Sequence, residues 1–425
     1  MKDPIYREKL ITDSKVREVF TPFSPVSESD CLLGREDEIL GLLASINTIG
    51  QHALIFGERG VGKSSLANVV AGMAKRGLGY SVCFKKCDSG DSFTSIISDL
   101  LEQQGYDIRC TESVSEHGQG GEAKMGLAGF GAKVDSNRKH IDKITYGTQF
   151  SSASWSAKTL ENSRSILVID EADVLKNDKD KLKIAEFMKH LSDYKSPLKV
   201  LIVGISNTGK ELICNHRSVE RCLNEFSLKT ISITELRKIL TEGQKKLDLT
   251  FDNDVIDDIV DISGGYPHFV HLIALKCAEV SIIENITRID SELLSKALKL
   301  AAKFSDGGLK RNFEEMVFKN TDVSRKVLLA AALCHPKGFL VRELVEMANQ
   351  VIDADLSKSK ITACLSRWTK SNTLKALIKV GRGHYRFLDP RFLSYVKMVN
   401  GFTYDKRSVF ADILKNKYSK RYVQV

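Results

Sequence analysis

A chain of 425 residues, 42% hydrophobic and 28% charged, exceeds one ordinary core and reads as a soluble globular protein of several domains. MKDPIYREKLITDSK at the N-terminus has no apolar run behind its charges, so it is no signal peptide, and no segment approaches the roughly 18 apolar residues of a membrane span. The net charge is +9, yet residues 356–425 hold sixteen Lys and Arg against Asp389, Asp405 and Asp412, a net of +13, which points to an anionic partner at the C-terminal end.

HALIFG (52–57) reads as a buried strand, and SSLANVVAGMAK after it has apolar residues at helical spacing. YSVCFKKC (80–87) is a second strand, and DSFTSIISDLLEQQ (91–104) is an amphipathic helix opened by a capping aspartate. Cys83 and Cys87 are the closest pair among nine cysteines, with neither zinc nor redox spacing, which fits scattered reduced thiols in the cytoplasm. Residues 105–160, with HGQGGEAKMGLAGFGAKVDSNRK, offer no clear crossover helix and read as an insertion. SRSILVIDEAD (163–173) and PLKVLIVGISN (197–207) are strongly apolar strands, and SLKTISI (227–233) is expected as a fifth. Strands alternating with helices predict a parallel sheet covered on both faces.

After Ile233 the pattern turns to helices only: TELRKILTEGQKKL, DNDVIDDIVDIS, YPHFVHLIALKCAEVSII and DSELLSKALKLAAKF. SDGGLKRN (305–312) is expected as a linker. SRKVLLAAAL, GFLVRELVEMANQ and LSKSKITACLSRWTKSN then give three helices, and LKALIKVGRGHYRFLDP (374–390) gives a hairpin around Gly381 and Gly383. Three helices and a β-hairpin is the order of a winged-helix module.

Gly57-x-x-x-x-Gly62-Lys63-Ser64 matches the phosphate-binding pattern GxxxxGK[ST], between a strand and a helix as its mechanism requires. Gly57, Gly60 and Gly62 let backbone N–H groups turn toward phosphates, with Val61 and Ser65 in the same cradle. Lys63 is expected to bridge the β- and γ-phosphates, and Ser64 to give its hydroxyl to Mg²⁺. ILVIDE delivers Asp170 to a strand tip for the magnesium shell, with Glu171 as a general base for the attacking water.

The P-loop, IDE, and a strand ending GISN together resemble an AAA+ ATPase, which implies ATP and Mg²⁺ as cofactors. Gly34-Arg35-Glu36 resembles the segment that wraps the adenine, placing Arg35 among the nucleotide contacts. VGISNTGKEL…RSVERCLNEFSLKTISITELRKIL resembles the sensor-1-to-lid region of origin-recognition-type initiator ATPases, over roughly residues 31–305. Bacterial initiator-like ATP-binding proteins, several of them resembling mobile-element or antiviral-defence components, are similar too. The resemblance implies that Asn207, or Ser206, orients water, and that Arg221, or Arg217, acts as an arginine finger in a homo-oligomer. The chain departs from initiators in its lid, where a sensor-2 arginine gives way to SGGYPHFVHL. Gly264-Gly265-Tyr266-Pro267 is more similar to the glycine–proline lid of STAND-type ATPases, with Pro267 at the nucleotide and His268 or His271 within approach of the phosphate.

The implied architecture is an N-terminal arm (1–30), an AAA+ αβα domain (31–233), a helical lid (234–305), a winged helix (306–400) and a basic tail (401–425). KSKITACLSRW supplies Lys358, Lys360 and Arg367 to double-stranded DNA, and KVGRGHYRF supplies Lys379, Arg382 and Arg386. Trp368, Tyr385 and Phe387 between them read as core, and residues 118–143 as an arm at a subunit or DNA face. Two functions follow: a slow ATPase that oligomerises, engages DNA and recruits a partner, or a STAND-like switch that senses a trigger and activates an effector without DNA.

Overall fold

The computed structural model describes residues 15–26, 32–106, 148–205, 219–318, 321–350, 356–370 and 376–401. The chain divides into two units, one of residues 40–56 and 70–227 and the other of 1–39, 57–69 and 228–425.

The first unit is built on a five-stranded sheet of order β2-β3-β4-β1-β5. Its strands are β1 (His52–Gly57), β2 (Ser81–Lys86), β3 (Ser165–Asp170), β4 (Lys199–Gly204) and β5 (Leu223–Leu228). β2, β3, β4 and β1 pair in parallel; Ile169 lies opposite Ile202 and Phe56 opposite Gly204, so these strands end along one edge. Leu54, Ile55, Ile166–Ile169 and Val200–Val203 are each at most 1% exposed, the continuous apolar runs that a doubly covered parallel sheet demands. β5 lies four residues before the expected fifth strand. Residues after Leu228 leave the sheet because Ser232 caps the next helix, its hydroxyl accepting from Glu235 N–H.

One face of the sheet is packed by α4 (Phe93–Gln103) and α6 (Asp178–Asp193), whose Phe93, Ile96, Leu100, Phe187, Met188 and Leu191 are all buried. Ser92, not Asp91, caps α4 in a reciprocal capping box with Ser95. α5 (Ala153–Thr159), inside the expected insertion, buries Ala153 and Ala157 and leads into β3. Its seven residues are too short for the periodicity on which the sequence reading relied. Residues 118–143 lie outside the described residues. His52 donates from Nε2 to the Met188 carbonyl and accepts the Val200 N–H at Nδ1, so burial leaves it neutral with a pKa lowered to about 3.

The second unit includes α1 (Lys15–Val19), the start of α2 (Glu36–Asn47) and the first turns of α3 (Lys63–Leu78). Next come α7 (Ile233–Leu247), α8 (Asn253–Ser263), α9 (Pro267–Glu284) and α10 (Ser291–Phe304), amphipathic except for α9, which is buried at every position from Phe269 to Ser281. The expectation of helices alone misses a small parallel bridge between β6 (Thr250–Phe251) and β7 (Arg288–Ile289), too short to register as a strand pattern.

The expected linker is helical. Asp306 caps α11 (Gly307–Val317) by accepting the Gly308 N–H at 2.8 Å, which compensates for the paired glycines. α12 (Thr321–Leu333), β8 (Phe339–Leu340), α13 (Val341–Gln350) and α14 (Lys358–Lys370) follow, then β9 (Leu377–Gly381) and β10 (His384–Phe387), which pair antiparallel. β8 joins the other side of β10, giving a three-stranded sheet. A last helix, α15 (Arg391–Asn400), was given no element by sequence reading; it buries Phe392, Leu393, Tyr395, Val396 and Met398.

Candidate functional site

The glycine loop leaves β1 and closes on the first turn of α3. Its Gly57, Gly60 and Gly62 have φ of +148°, +84° and +96°, conformations other residues rarely adopt. A side chain at Gly57 would begin 2.3 Å from the Leu228 carbonyl oxygen, so the first glycine is fixed by sterics as well as φ. Lys63 is 9% exposed, and its Nζ donates to the carbonyls of Gly57 (3.0 Å) and Glu58 (2.8 Å). The ammonium is thus held within the loop, where phosphate oxygens would be its partners. Ser65 Oγ accepts the Val26 N–H at 3.1 Å.

Arg35 is only 4% exposed. Its guanidinium donates through Nη1 and Nη2 to the Val61 carbonyl (3.0 Å), the Lys229 carbonyl (2.5 Å) and Glu38 (2.8 Å), which braces the loop, while its Nε is buried without a partner among the described residues. Pro267 stands at the first position of α9, its ring presetting φ, after an extended Tyr266. The neighbouring histidines hold the N-terminal segment: His268 Nδ1 lies 2.9 Å from the Pro22 carbonyl, and His271 Nδ1 accepts the Thr21 N–H at 3.2 Å. Burial lowers both pKa values, that of His271 to about 4, so neither offers an anion a positive charge at neutral pH.

Three contacts on this loop went unread in the sequence. The Tyr266 hydroxyl donates to Glu58 Oε2. Arg59 pairs with Asp306 at 3.6 Å, and Asp306 and Asp389 both pair with Arg391, at 3.4 and 2.6 Å. Arg391 is 6% exposed, and its Cδ lies 3.3 Å from where a side chain on Gly60 would begin. Burial works against the Arg391 charge, but its bonds to Asp389 and Asp306 outweigh this and raise its pKa; Asp306 is held low by the Gly308 N–H and both arginines despite its own burial. No signal flagged these residues, because the variable positions of the motif carry no requirement of their own. The charged pair Glu58-Arg59 was the one available hint.

In the sheet unit, Asp170 closes β3 and its Oδ1 accepts the Glu171 N–H at 2.9 Å. Glu171 adopts a left-handed conformation with φ +56°, which aims its carboxylate out of the strand. Lys86, at the end of β2 and in register with Asp170, pairs with Glu171 Oε1 at 3.3 Å. Asp173 Oδ1 accepts the Ile205 N–H at 2.7 Å, tying the turn after β3 to the end of β4. Arg221 is exposed and ion-paired with Asp193 at 2.6 Å. Ser206, Asn207 and Arg217 lie outside the described residues.

At the C-terminal end, Lys358, Lys360, Lys379, Arg382 and Arg386 are all exposed. Arg367 is not part of that array. Its guanidinium donates to the Met316 carbonyl (3.1 Å) and Ser324 Oγ (2.7 Å), because the helical phase that buries Trp368 also turns Arg367 toward α11 and α12. Trp368, Tyr385 and Phe387 are buried as core. Lys397 is likewise internal, paired with Asp261 at 3.3 Å, and burial lowers its pKa to about 8. The outward field of this region is therefore weaker than its sequence charge.

The family described as novel STAND NTPase 1 matches residues 20–274. No curated protein sequence matches the chain. The ORC2 protein of Aeropyrum pernix, solved in ADPNP–ADP complexes, is similar over 94% of this chain and 98% of its own, at 13% identity and a TM-score of 0.50. The ORC1 protein of Aeropyrum pernix, solved with DNA, covers 90% of this chain and 96% of its own, at 16% identity and a TM-score of 0.47. The Holliday junction branch migration motor RuvB of Thermotoga maritima covers 87% and 96%, at 12% identity and a TM-score of 0.44. The likeness to ORC2 is one of fold.

Proposed function

The chain belongs to the novel STAND NTPase 1 family, and on that premise we propose that it is an ATP-dependent switch that assembles with copies of itself and engages duplex DNA through its C-terminal module. The observation that carries the reading is the loop of residues 57–63: three glycines of positive φ around a buried lysine whose ammonium is held by loop carbonyls. A cradle of backbone donors with a buried cation fits the phosphates of ATP.

The remaining roles are assigned by motif. Ser64 and Asp170 offer the hard oxygen ligands that suit Mg²⁺, and the ion would neutralise charge on the phosphates. Among the described residues no cluster of His, Cys, Asp or Glu could hold a metal by itself, so the phosphates would share in binding it. Glu171 takes the proton of the attacking water, and Asn207 orients that water. Arg221, or Arg217, reaches the site of a neighbouring copy, a contribution of about 10³–10⁵ in rate for such fingers. For this, Arg221 must exchange its exposed pair with Asp193 for phosphate.

The sequence α12, β8, α13, α14 and the β9–β10 hairpin supports the reading of residues 306–400 as a winged helix, whose DNA face would be Lys358, Lys360, Lys379, Arg382 and Arg386, all exposed. Among the described residues no helix is long and apolar enough to cross a membrane. The described cysteines are free and buried, which fits a reducing cytoplasm. A second reading is favoured by the family and by Gly264-Gly265-Tyr266-Pro267: a signalling ATPase, in a defence or mobile-element setting, that activates an effector without DNA.

ATPase rate with and without duplex DNA at moderate salt separates them. A rate that rises several-fold with duplex supports the first, and a rate indifferent to duplex the second. Binding should also weaken with salt, and replacing both Arg382 and Arg386 should flatten the slope of log affinity against log salt by about two. An unchanged slope would remove these arginines from the DNA face.

A further inference from the structure

Glu58 sets a negative charge in a loop read as holding phosphates. Its own carbonyl lies 2.8 Å from Lys63 Nζ, so its side chain is rooted beside the cation the phosphates need. Free to turn, that carboxylate competes for the lysine and repels the incoming anion. In the structure it does neither, because its Oε2 accepts the hydroxyl of Tyr266, whose residue is 4% exposed. Tyr266 is fixed in turn by packing edge-to-face on Phe269, with ring centroids 6.4 Å apart, and by standing directly before Pro267 at the start of α9. Burial, followed by the bond to Glu58, raises the Tyr266 pKa, so the hydroxyl remains a donor throughout the physiological range.

We propose that Tyr266 is a positioning residue for nucleotide binding: its hydroxyl draws the Glu58 carboxylate toward the lid and away from Lys63. The proposal rests on the reading of the loop as a phosphate site. It also gives the second unit's lid a hold on affinity that needs no lid arginine, since the lid acts by restraining an anion rather than by supplying a cation.

The test measures the affinity of the full chain for a fluorescent ATP analogue with Mg²⁺ present, in four variants. Tyr266→Phe keeps the ring and its packing but loses the donor, and should bind about fivefold more weakly, as expected for one lost hydrogen bond to a charged group. Glu58→Gln removes the charge and should bind at least as well as the parent. The double variant should return to within about twofold of the parent, because an uncharged side chain needs no restraint. Lys63→Ala tests the underlying reading and should lose most of the affinity. Unchanged affinity in Tyr266→Phe, or a double variant as weak as Tyr266→Phe alone, overturns the proposal, the latter by showing that the hydroxyl acts on packing. Undiminished binding by Lys63→Ala overturns the phosphate reading itself, and the positioning role with it. Equal melting temperatures of Tyr266→Phe and the parent, measured without nucleotide, establish that the fold is retained; a lowered melting temperature with no rescue by Glu58→Gln counts against the proposal.

Discussion

The glycine loop and the acidic end of β3 carry the two halves of one proposed chemistry, and they are held in opposite ways. The loop's backbone is relaxed by glycine while two of its side chains are tied: Glu58 to Tyr266, and Lys63 to carbonyls of the loop. At the strand end the backbone is forced and the side chains are loose. Glu171 is a non-glycine residue at φ +56°, and its one ion pair joins a lysine side chain 71% exposed to a carboxylate 47% exposed. Binding an anion calls for donors fixed in advance, whereas a general base needs a carboxylate that the attacking water can reach. The strain at Glu171, of order 1–3 kcal/mol for such conformations, sits where a function would require it.

The strongest challenge to this contrast is Glu171→Gln, which should lower ATP turnover by about 10²–10⁴ while leaving affinity within about twofold. Normal turnover would reassign the residue to structure. Next is Gly57→Ala: the added methyl meets the Leu228 carbonyl oxygen in a backbone conformation alanine avoids, and about 3 kcal/mol of stability should be lost in urea unfolding. A wild-type midpoint would show that the loop is less fixed than described.

Acid should weaken each unit through one buried histidine. His52 in the sheet unit and His271 in α9 have pKa values lowered to about 3 and about 4. The unfolded chain therefore binds protons that the folded chain refuses. Stability is complete above the unfolded value near 6.5 and falls as pH drops toward the folded values, by about 2 kcal/mol per histidine between pH 6.5 and 5. Urea unfolding at pH 7 and pH 5 measures this, and His271→Gln should reduce the acid loss; the same loss in that variant would exclude His271 as a source. The smallest effect expected is Lys86→Ala, which removes an exposed ion pair and should change turnover by no more than about threefold. A tenfold change would show that the strand end is held more tightly than its exposure indicates.

The fold was legible wherever burial imposed a pattern. β1, β3 and β4 each carry an unbroken run of buried apolar residues, and GxxxxGKS stands where strand meets helix. The fifth strand lies at the sheet edge beside β1 with alternating burial, so no apolar run marks it. SDGGLKRN reads as a break until Asp306 is seen to cap it, and α15 has no loud period because packing also buries its Arg391 and Ser394. In the candidate site, residue types marked the glycine loop and the acidic pair at the end of β3, but not Tyr266 with Glu58, Lys86 with Glu171, or Asp193 with Arg221. Each of those joins residues distant in sequence through side chains that no motif specifies. Arg367 shows the converse: its charge was legible, its direction was not.

α9 gives the second unit a mechanical character. Buried at every position from Phe269 to Ser281, it has no free face along which to slide or melt, so its amides should exchange with solvent among the slowest in its unit. Its 18 residues amount to a rod of about 27 Å, and Tyr266, with its hydroxyl on Glu58 of the glycine loop, stands at the near end. A displacement at Tyr266 therefore enters a helix that its neighbours clasp along most of its length.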